Sequence, residues 1–291
     1  MDLLIRQLAA GLGNGAIYAS LALALVFIFR STGIINFAQG EMAMFSTFLG
    51  WQLIQWNVPL IPALLIAILL SFAGGVLIER VIIRRLHGEP ELSVVAVTVG
   101  LLILFNALAG LIWTFFTKRF PSPFPKESLS VGPVSSHIVG TLLVIAVVVG
   151  LFALLLQKTK LGLAMRAAAA APTSSQLVGI RVGWILALGW GIAAALGAVS
   201  GILIAPLVLL EPNMMAGVMI YAFASATLGG MDSLLGAVVG GVIVGISETL
   251  AATYIGFIGS DLKILVPLVI IFVVLLVRPQ GLFGRPVVAR V

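Results

Sequence analysis

Three carboxylates that lie within or beside long apolar stretches are the residues of this sequence best placed to do chemistry. Glu41 begins an apolar run, Asp232 lies in a glycine-rich turn, and Glu248 lies inside the apolar run 233–260. A carboxylate is costly in hydrocarbon, so each should face a cavity, a partner chain or a helix end rather than lipid. Glu41 and Asp232 could instead each interact with the positive end of the following helix, and this structural role stays open beside contact with a solute.

Uncharged polar residues in the same stretches are further candidates for lining a path through a membrane. They are Asn14, Asn36, Gln39, Asn106 and Asn213. Each could instead form a hydrogen bond between two helices. The candidate substrate-pathway residues are therefore Asn36, Gln39, Glu41, Asp232, Ser233 and Glu248.

A short pattern occurs twice, once near each end of the chain. Residues 33–41 and 229–237 both fit Gly-x-x-[Asn/Asp]-x-x-x-Gly. Transporters are often built from two structural repeats that have broken helices at corresponding positions. Glycine tolerates the backbone angles of an unwound helix, and Asn or Asp can satisfy the freed backbone groups. The pattern predicts two broken helices, and two glycine-rich turns at helix ends are the alternative.

Residues needed for several kinds of chemistry are missing from the sequence. There is no cysteine, which excludes disulfides, iron–sulfur clusters and thiolate metal sites. His87 and His137 are the only histidines, so we expect no metal site and no cofactor. There is no phosphate-binding Gly-x-x-x-x-Gly-Lys-[Ser/Thr] loop for ATP. An intramembrane enzyme is disfavoured, and a self-standing carrier would be expected to place more carboxylates or histidines deep in its helices than Glu248.

The elements that must position these residues follow from charge-free runs of unusual length. Residues 7–29, 42–78, 92–117 and 182–210 contain no Asp, Glu, Lys or Arg, and only 9% of the chain is charged. A helix needs about 20 apolar residues to cross a bilayer, and backbone groups in lipid must be hydrogen-bonded within the segment. The fold class is therefore all-α and polytopic, with eight or nine transmembrane helices in a single transmembrane domain, 1–291. The net charge of +6 lies at the ends of the runs, which suits lipid headgroups and not nucleic acid.

The predicted crossings follow one another with short connections. They span about 7–29, 42–57, 60–78, 92–117, 137–156 and 182–205, and two or three more lie within 206–277. Lys and Arg are frequent in the loop 79–91, the segment 157–181 and the tail 278–291, and cytoplasmic loops are rich in these residues. We therefore assign these three segments to the cytoplasm. This places the proline-rich loop 118–136 and the amino terminus outside, although Lys118, Arg119 and Lys126 argue mildly against that side.

The segment 157–181 is the longest polar stretch. Leu161–Ala171 consists mostly of strong helix formers, Pro172 should stop that helix, and Thr173 or Ser174 could cap a second short helix ending at Gly179. Such a helix can lie in a groove of another protein and pass force to the crossings on either side. An idle amphipathic connector is the alternative.

Six stretches of the sequence, spread from one end of the chain to the other, resemble the branched-chain amino-acid ABC-transporter permeases. The six stretches are Gly11–Leu23, Thr32–Met44, Leu161–Ala167, Gly179–Ile180, Gly229–Ala237 and Arg278–Gly284. The first and the last of them are the most specific, and the resemblance extends over nearly the whole chain. The chain is most similar to the shorter of the two permeases in that import system.

The resemblance implies a transport subunit that is not an enzyme, in a bacterial plasma (inner) membrane. A second homologous permease would complete the pathway, two cytoplasmic ABC ATPases would hydrolyse ATP, and an extracytoplasmic solute-binding protein would deliver leucine, isoleucine or valine. The ATPase-coupling residues would be Leu161, Gly162, Arg166, Ala167, Gly179 and Ile180. Members of the family usually have acidic residues at the positions of Ala171, Thr173 and Ser174, and this sequence departs from them there. The substrate is a separate matter, because near relatives in the family transport urea, short amides or other amino acids. The rivals are a self-standing carrier or channel for a small polar solute.

Overall fold

A computed structural model describes residues 2–86, 88–124, 134–259 and 261–284. Within those ranges the chain is helical and forms no extended β-sheet. Eleven α-helices are present there: α1 (Asp2–Thr32), α2 (Gln39–Gln55), α3 (Leu60–Val81), α4 (Glu91–Trp113), α5 (Ser136–Lys158), α6 (Lys160–Ala170), α7 (Pro172–Leu177), α8 (Val182–Val208), α9 (Met214–Gly229), α10 (Leu234–Tyr254) and α11 (Leu265–Val277). A 3₁₀ turn, Ile83–Leu86, follows α3.

Six of these helices are long and apolar enough to cross a membrane: α1, α3 with its 3₁₀ turn, α4, α5, α8 and α10. Helices α2, α9 and α11 are shorter, with 17, 16 and 13 residues. The prediction of an all-helical, multi-pass membrane protein is confirmed. The count of eight or nine crossings depends on the three shorter helices and stays a prediction.

Several predicted boundaries shift in the structure. Helix α4 ends at Trp113 instead of residue 117, because Thr114 takes a left-handed backbone conformation with a φ of 66°. Helix α8 continues through Pro206 to Val208. His87, Ser260, part of the proline-rich loop (125–133) and the last tail residues (285–291) lie outside the described residues.

The chain divides into two compact units. The first combines Met1–Val26, Phe124–Leu143 and Gly217–Val291, and the second combines Phe27–Pro123 and Val144–Ala216. In the first unit, small residues of α1 and α10 let their backbones approach closely. A Cβ added at Gly15 would lie 2.8 Å from the carbonyl oxygen of Gly241. Such spacing brings helices together where lipid supplies no hydrophobic driving force.

In the second unit, α2 and α3 pack against α8 along their length. The Ser71 hydroxyl of α3 donates to the carbonyl of Ala194 at 2.9 Å, and the Ser46 hydroxyl of α2 donates to Ser71 at 2.8 Å. Contacts of α2 with α4 include an aromatic stack: the rings of Phe48 and Trp113 have centroids 5.0 Å apart. These contacts fix the position of α2 along α8 and α4, and therefore which residues of those helices face each polar residue of α2.

Candidate functional site

The segment between α1 and α2 lies about half-way along α8. The Gln39 amide of α2 donates to the carbonyl of Ala193 at 2.8 Å, and Ala193 is about three helical turns, roughly 16 Å, beyond Val182 at the start of α8. Helix α2 therefore begins inside the second unit and not at the end of α8. Gly33, with a φ of 76°, begins the turn that precedes it.

Asn36 and Gln39 hold this turn together and are both fully buried. The Asn36 side chain accepts a hydrogen bond from the Ala38 amide at 3.1 Å and donates to the Gln39 side chain at 3.2 Å. A Cβ at Gly197 would lie 2.7 Å from the Gln39 amide nitrogen, so that glycine makes room for the side chain. These contacts fit the predicted use of Asn to satisfy unwound backbone, and contact with a solute stays a prediction for both residues.

A second non-helical connection, residues 209–213, lies between α8 and α9. This connection and the one between α1 and α2 are here called the two interruptions. The backbones of Lys118 and Leu210 exchange two hydrogen bonds of 2.8 and 2.9 Å, just beyond the ends of α4 and α8. Three residues later, Asn213 contacts Asn106, which lies about two turns, or roughly 10 Å, before the end of α4 at Trp113. The segment 209–213 therefore turns back along α4.

The two interruptions meet at Glu41. The Asn106 amide lies 3.4 Å from a Glu41 carboxylate oxygen, 3.1 Å from the carbonyl oxygen of Pro212 and 3.1 Å from the side-chain oxygen of Asn213. Glu41 is only 6% exposed, and it lies in the first turn of α2, as predicted. We call Glu41, Asn106, Pro212 and Asn213 the Glu41 cluster.

The predicted coupling segment forms two short helices, α6 and α7. The Thr159 side chain caps α6 by accepting from the Gly162 amide at 3.0 Å. Gly162 packs on the backbone of α5, where a Cβ would lie 2.5 Å from the Cα of Leu156. Gly179, with a φ of 86°, ends the segment after α7. Thr159 and Gly162 therefore fix the angle at which α6 leaves α5.

The prediction that Thr173 or Ser174 caps α7 was wrong. Its N-cap is Ala171, no side chain caps it, and Pro172 is its first residue. Proline suits that position because its missing N–H has no helical partner there. Pro172 therefore starts the second helix as well as ending the first.

The outer face of α6 and α7 is apolar and basic. Leu177 and Val178 are 85% and 77% exposed, and Leu163 is 61% exposed. The segment 157–181 carries four Lys or Arg and no Asp or Glu, and Arg166 is among its exposed residues. Of the other predicted coupling residues, Gly162 is buried, Gly179 is exposed, and Leu161, Ala167 and Ile180 are half-buried. The face that includes Leu163, Leu177 and Val178 is here called the α6–α7 surface.

Arg84 links the start of α8 to the end of α3. Its guanidinium forms a 2.8 Å ion pair with the fully buried Glu79 and donates to the carbonyl of Gly183 at 2.6 Å. Arg80 lies over the ring of Trp184, 4.8 Å from its centroid. A displacement of α6 and α7 would therefore be passed to α8 by the backbone that joins them. It would be passed on to α3 by Arg84, which contacts both helices.

Glu248, in the first unit, has partners on three sides. The Tyr18 hydroxyl donates to one carboxylate oxygen at 3.0 Å, and the Lys263 ammonium lies 3.4 Å from the other. The ring of Tyr221 stacks on that of Tyr18, with centroids 4.7 Å apart. Glu248 is 2% exposed, and its charge is balanced by Lys263. The sequence of α10 does not indicate this pairing, because Lys263 lies beyond the end of that helix, in the connection to α11.

Asp232 and Ser233 lie just after the end of α9, where the segment 278–284 near the carboxyl terminus packs against that helix end. The amides of Leu282 and Phe283 donate to the carbonyls of Leu228 and Gly229 at 2.7 and 3.0 Å. The Ser233 hydroxyl caps α10 by accepting from the Gly236 amide at 3.0 Å. Gly230, with a φ of 105°, makes the turn here. In the repeated pattern Gly33 corresponds to Gly229, so the glycine with positive φ lies one position later in the second copy. A role for Asp232 and Ser233 in a solute pathway stays a prediction.

Helices of membrane-spanning length, polar residues buried between them and an exposed basic segment are features of a membrane transport subunit. Comparison with known proteins gives the family. The family described as "Branched-chain amino acid transport system / permease component" matches residues 7–275. The chain belongs to this family. It is a permease subunit of an ABC importer and not an enzyme, and such importers hydrolyse ATP on separate subunits and work with a binding protein.

Three relatives align along most of their length. The high-affinity branched-chain amino acid transport system permease protein BraD of Pseudomonas aeruginosa is 32% identical, over 99% of this chain and 98% of its own. The permease protein LivH of the same kind of system in Salmonella typhimurium is 30% identical, over 99% and 97%. A probable branched-chain amino acid transport permease protein LivH of Methanocaldococcus jannaschii is 28% identical, over 91% and 87%.

Among solved structures, PsaBC from Streptococcus pneumoniae in complex with Fab covers 96% of this chain and 91% of its own, with 12% sequence identity. Its TM-score of 0.47 is too low to support a structural argument.

Proposed function

We propose that this chain carries branched-chain amino acids inward across a bacterial plasma membrane, as one of two homologous permeases. Relatives named for branched-chain amino acid transport align with nearly the whole chain, and this similarity is the observation that carries the proposal. Two ATPases drive the transport from the cytoplasm, and a solute-binding protein outside the membrane delivers the amino acid.

The α6–α7 surface is the docking site of one ATPase. Exposed leucine and valine side chains outside the candidate membrane spans favour burial by a partner, and Leu177 and Val178 are among the most exposed apolar residues of the second unit. With no acidic residue in 157–181, docking depends on packing and on acidic groups of the ATPase. Arg166 and Gly179 belong to this contact, and a bulky acidic residue at either position separates ATP hydrolysis from uptake.

Alternating access follows from the connections between these elements. Closure of the ATPases moves α6 and α7, the chain passes that movement to α8, and Arg84 passes it to α3. The Glu41 cluster joins α2, α4 and the segment 209–213, so relative movement of these elements changes its geometry. On this basis Asn36, Gln39 and Glu41 are proposed as pathway residues of the second unit. Asp232, Ser233 and Glu248 of the first unit are proposed separately, from their positions in or beside an apolar helix.

The test is uptake by defined combinations of subunits in proteoliposomes. This chain, the homologous permease and the two ATPases should accumulate labelled leucine when ATP is on the ATPase side and the loaded binding protein is on the other. This chain alone should move no leucine. Gradient-driven flux through the chain alone would support a self-standing carrier, and uptake of urea or a short amide in place of leucine would overturn the substrate.

A further inference from the structure

Three carboxylates are buried in the described part of the chain: Glu41, Glu79 and Glu248. They differ in whether a Lys or Arg of the protein lies close enough to balance their charge. Glu79 is paired with Arg84 at 2.8 Å, and Glu248 lies 3.4 Å from Lys263. Glu41 is as well buried, yet within the described residues no Lys or Arg lies within ion-pair distance of it. A buried carboxylate without a counter-charge is expensive, so Glu41 either takes up a proton or is paired with a positive charge that a ligand brings.

Hydrogen-bond donors are also in short supply around Glu41. The Asn106 side-chain amide has two hydrogens, yet three acceptors lie within reach of it: the Glu41 carboxylate, the Pro212 carbonyl and the Asn213 side-chain oxygen. At least one acceptor is therefore without a hydrogen from Asn106 at any time. Asn213 is exposed, so the cluster can be reached from its side.

Resting on the proposed function, we infer that the Glu41 cluster binds the ammonium group of the transported amino acid. An ammonium group supplies the missing positive charge together with three hydrogen-bond donors, which matches the three acceptors around Asn106. The cluster joins two helix interruptions, and discontinuous helices are where transporters place substrate sites. A neutral solute such as urea lacks the charge that Glu41 requires.

The first test compares variants of the complete transporter in proteoliposomes. Glu41→Gln keeps the size of the side chain and removes its charge, and it should lower leucine uptake at least about tenfold, which corresponds to 1.4 kcal/mol. Glu41→Asp should recover part of the uptake. Glu211→Gln is the matched control, because Glu211 lies next to Pro212 but outside the cluster, and it should leave uptake unchanged. ATP hydrolysis stimulated by the loaded binding protein should persist in all three variants.

A second readout separates substrate contact from a purely structural role. Dicyclohexylcarbodiimide modifies buried carboxyl groups, and mass spectrometry of the assembled transporter measures modification at Glu41 and Glu248 separately. Leucine and 3-methylbutylamine, which lacks the carboxylate, should protect Glu41. The acid 4-methylpentanoate, which lacks the ammonium group, should not. Modification of Glu248 should be the same with all three compounds.

The outcomes distinguish the two proposals. If the wild-type transporter takes up no amino acid, the proposed function fails and this inference fails with it. If leucine uptake is normal in Glu41→Gln, or if 4-methylpentanoate protects Glu41 as well as leucine does, the inference alone is overturned. Failure of Glu41→Gln to assemble with the ATPases would leave the protection experiment on the wild-type protein to decide.

Discussion

Close backbone contact makes some glycines irreplaceable, and α3 shows this at two adjacent positions. A Cβ at Gly75 would lie 2.5 Å from the carbonyl oxygen of Trp190 and 3.0 Å from the Cα of Gly191. A Cβ at Gly74 would meet nothing within 4 Å. Neighbouring glycines of one helix therefore differ in what they do, because only one faces α8.

Replacing Gly75 with alanine should destabilise the purified chain, because the new methyl group can be accommodated only if α3 and α8 move apart. Overpacking of this kind costs about 1–3 kcal/mol. Gly74→Ala is the control and should be neutral or stabilising, since alanine is favoured over glycine in helices by up to about 1 kcal/mol. Thermal unfolding in detergent, followed by tryptophan fluorescence, measures both. Equal melting temperatures for the two variants would contradict the close contact of α3 with α8.

The ion pair of Glu248 permits a second test with single residues. Lys263→Met removes the positive charge beside Glu248. The Glu248 carboxylate, which is only 2% exposed, then keeps the hydrogen bond from Tyr18 but has no counter-charge, so the melting temperature should fall. The expected cost is about 1–3 kcal/mol for a buried acceptor that loses a partner. The double variant Glu248→Gln with Lys263→Met should recover much of the loss, because no buried charge then remains unpaired. Additive losses in the double variant would show that the two side chains do not interact.

At the scale of elements, charge-free runs were sufficient to predict the long helices, and the interruptions were harder. The start of α2 could be expected near Gly33, because glycine and asparagine there suit unwound backbone. Nothing in the local sequence indicates that 209–213 turns back along α4. The sequence indicates Asn106 and Asn213 as separate polar candidates, and their contact spans over a hundred positions of the chain. Pairings of that range depend on tertiary packing and not on periodicity.

The α6–α7 surface gives a prediction at the scale of an element. Leu177→Asp should abolish ATP-driven uptake and co-purification of the ATPases, because a charge replaces an apolar side chain that is 85% exposed and available for burial. Thr173→Asp is the matched control on the same helix, and it should retain uptake because Thr173 is an exposed polar residue, so the change removes no apolar side chain from the contact. Uptake assays and pull-down of the ATPases measure the two effects. Loss in both variants would indicate that acidic charge anywhere on α7 prevents docking, and retention in both would remove α7 from the contact.

At the scale of the whole molecule, orientation in the membrane follows from the positions of Lys and Arg. The loop 79–91, the segment 157–181 and the tail contain three, four and three Lys or Arg, and the cytoplasmic loops of a membrane protein are enriched in these two residues. Helix α4 and helix α5 are each long enough for one crossing. If each crosses once, residues 114–124 lie on the side opposite to both the loop before α4 and the segment after α5.

The absence of cysteine makes this orientation directly measurable with single cysteine variants. Glu89→Cys precedes α4, Arg119→Cys follows it, and Thr173→Cys follows α5; all three side chains are exposed. In intact spheroplasts, a membrane-impermeant maleimide should label Arg119→Cys and spare Glu89→Cys and Thr173→Cys. After the membrane is permeabilised, all three should be labelled, which controls for burial in the assembled transporter. Labelling of Thr173→Cys from outside would place the α6–α7 surface away from the ATPases, and docking there would then be impossible.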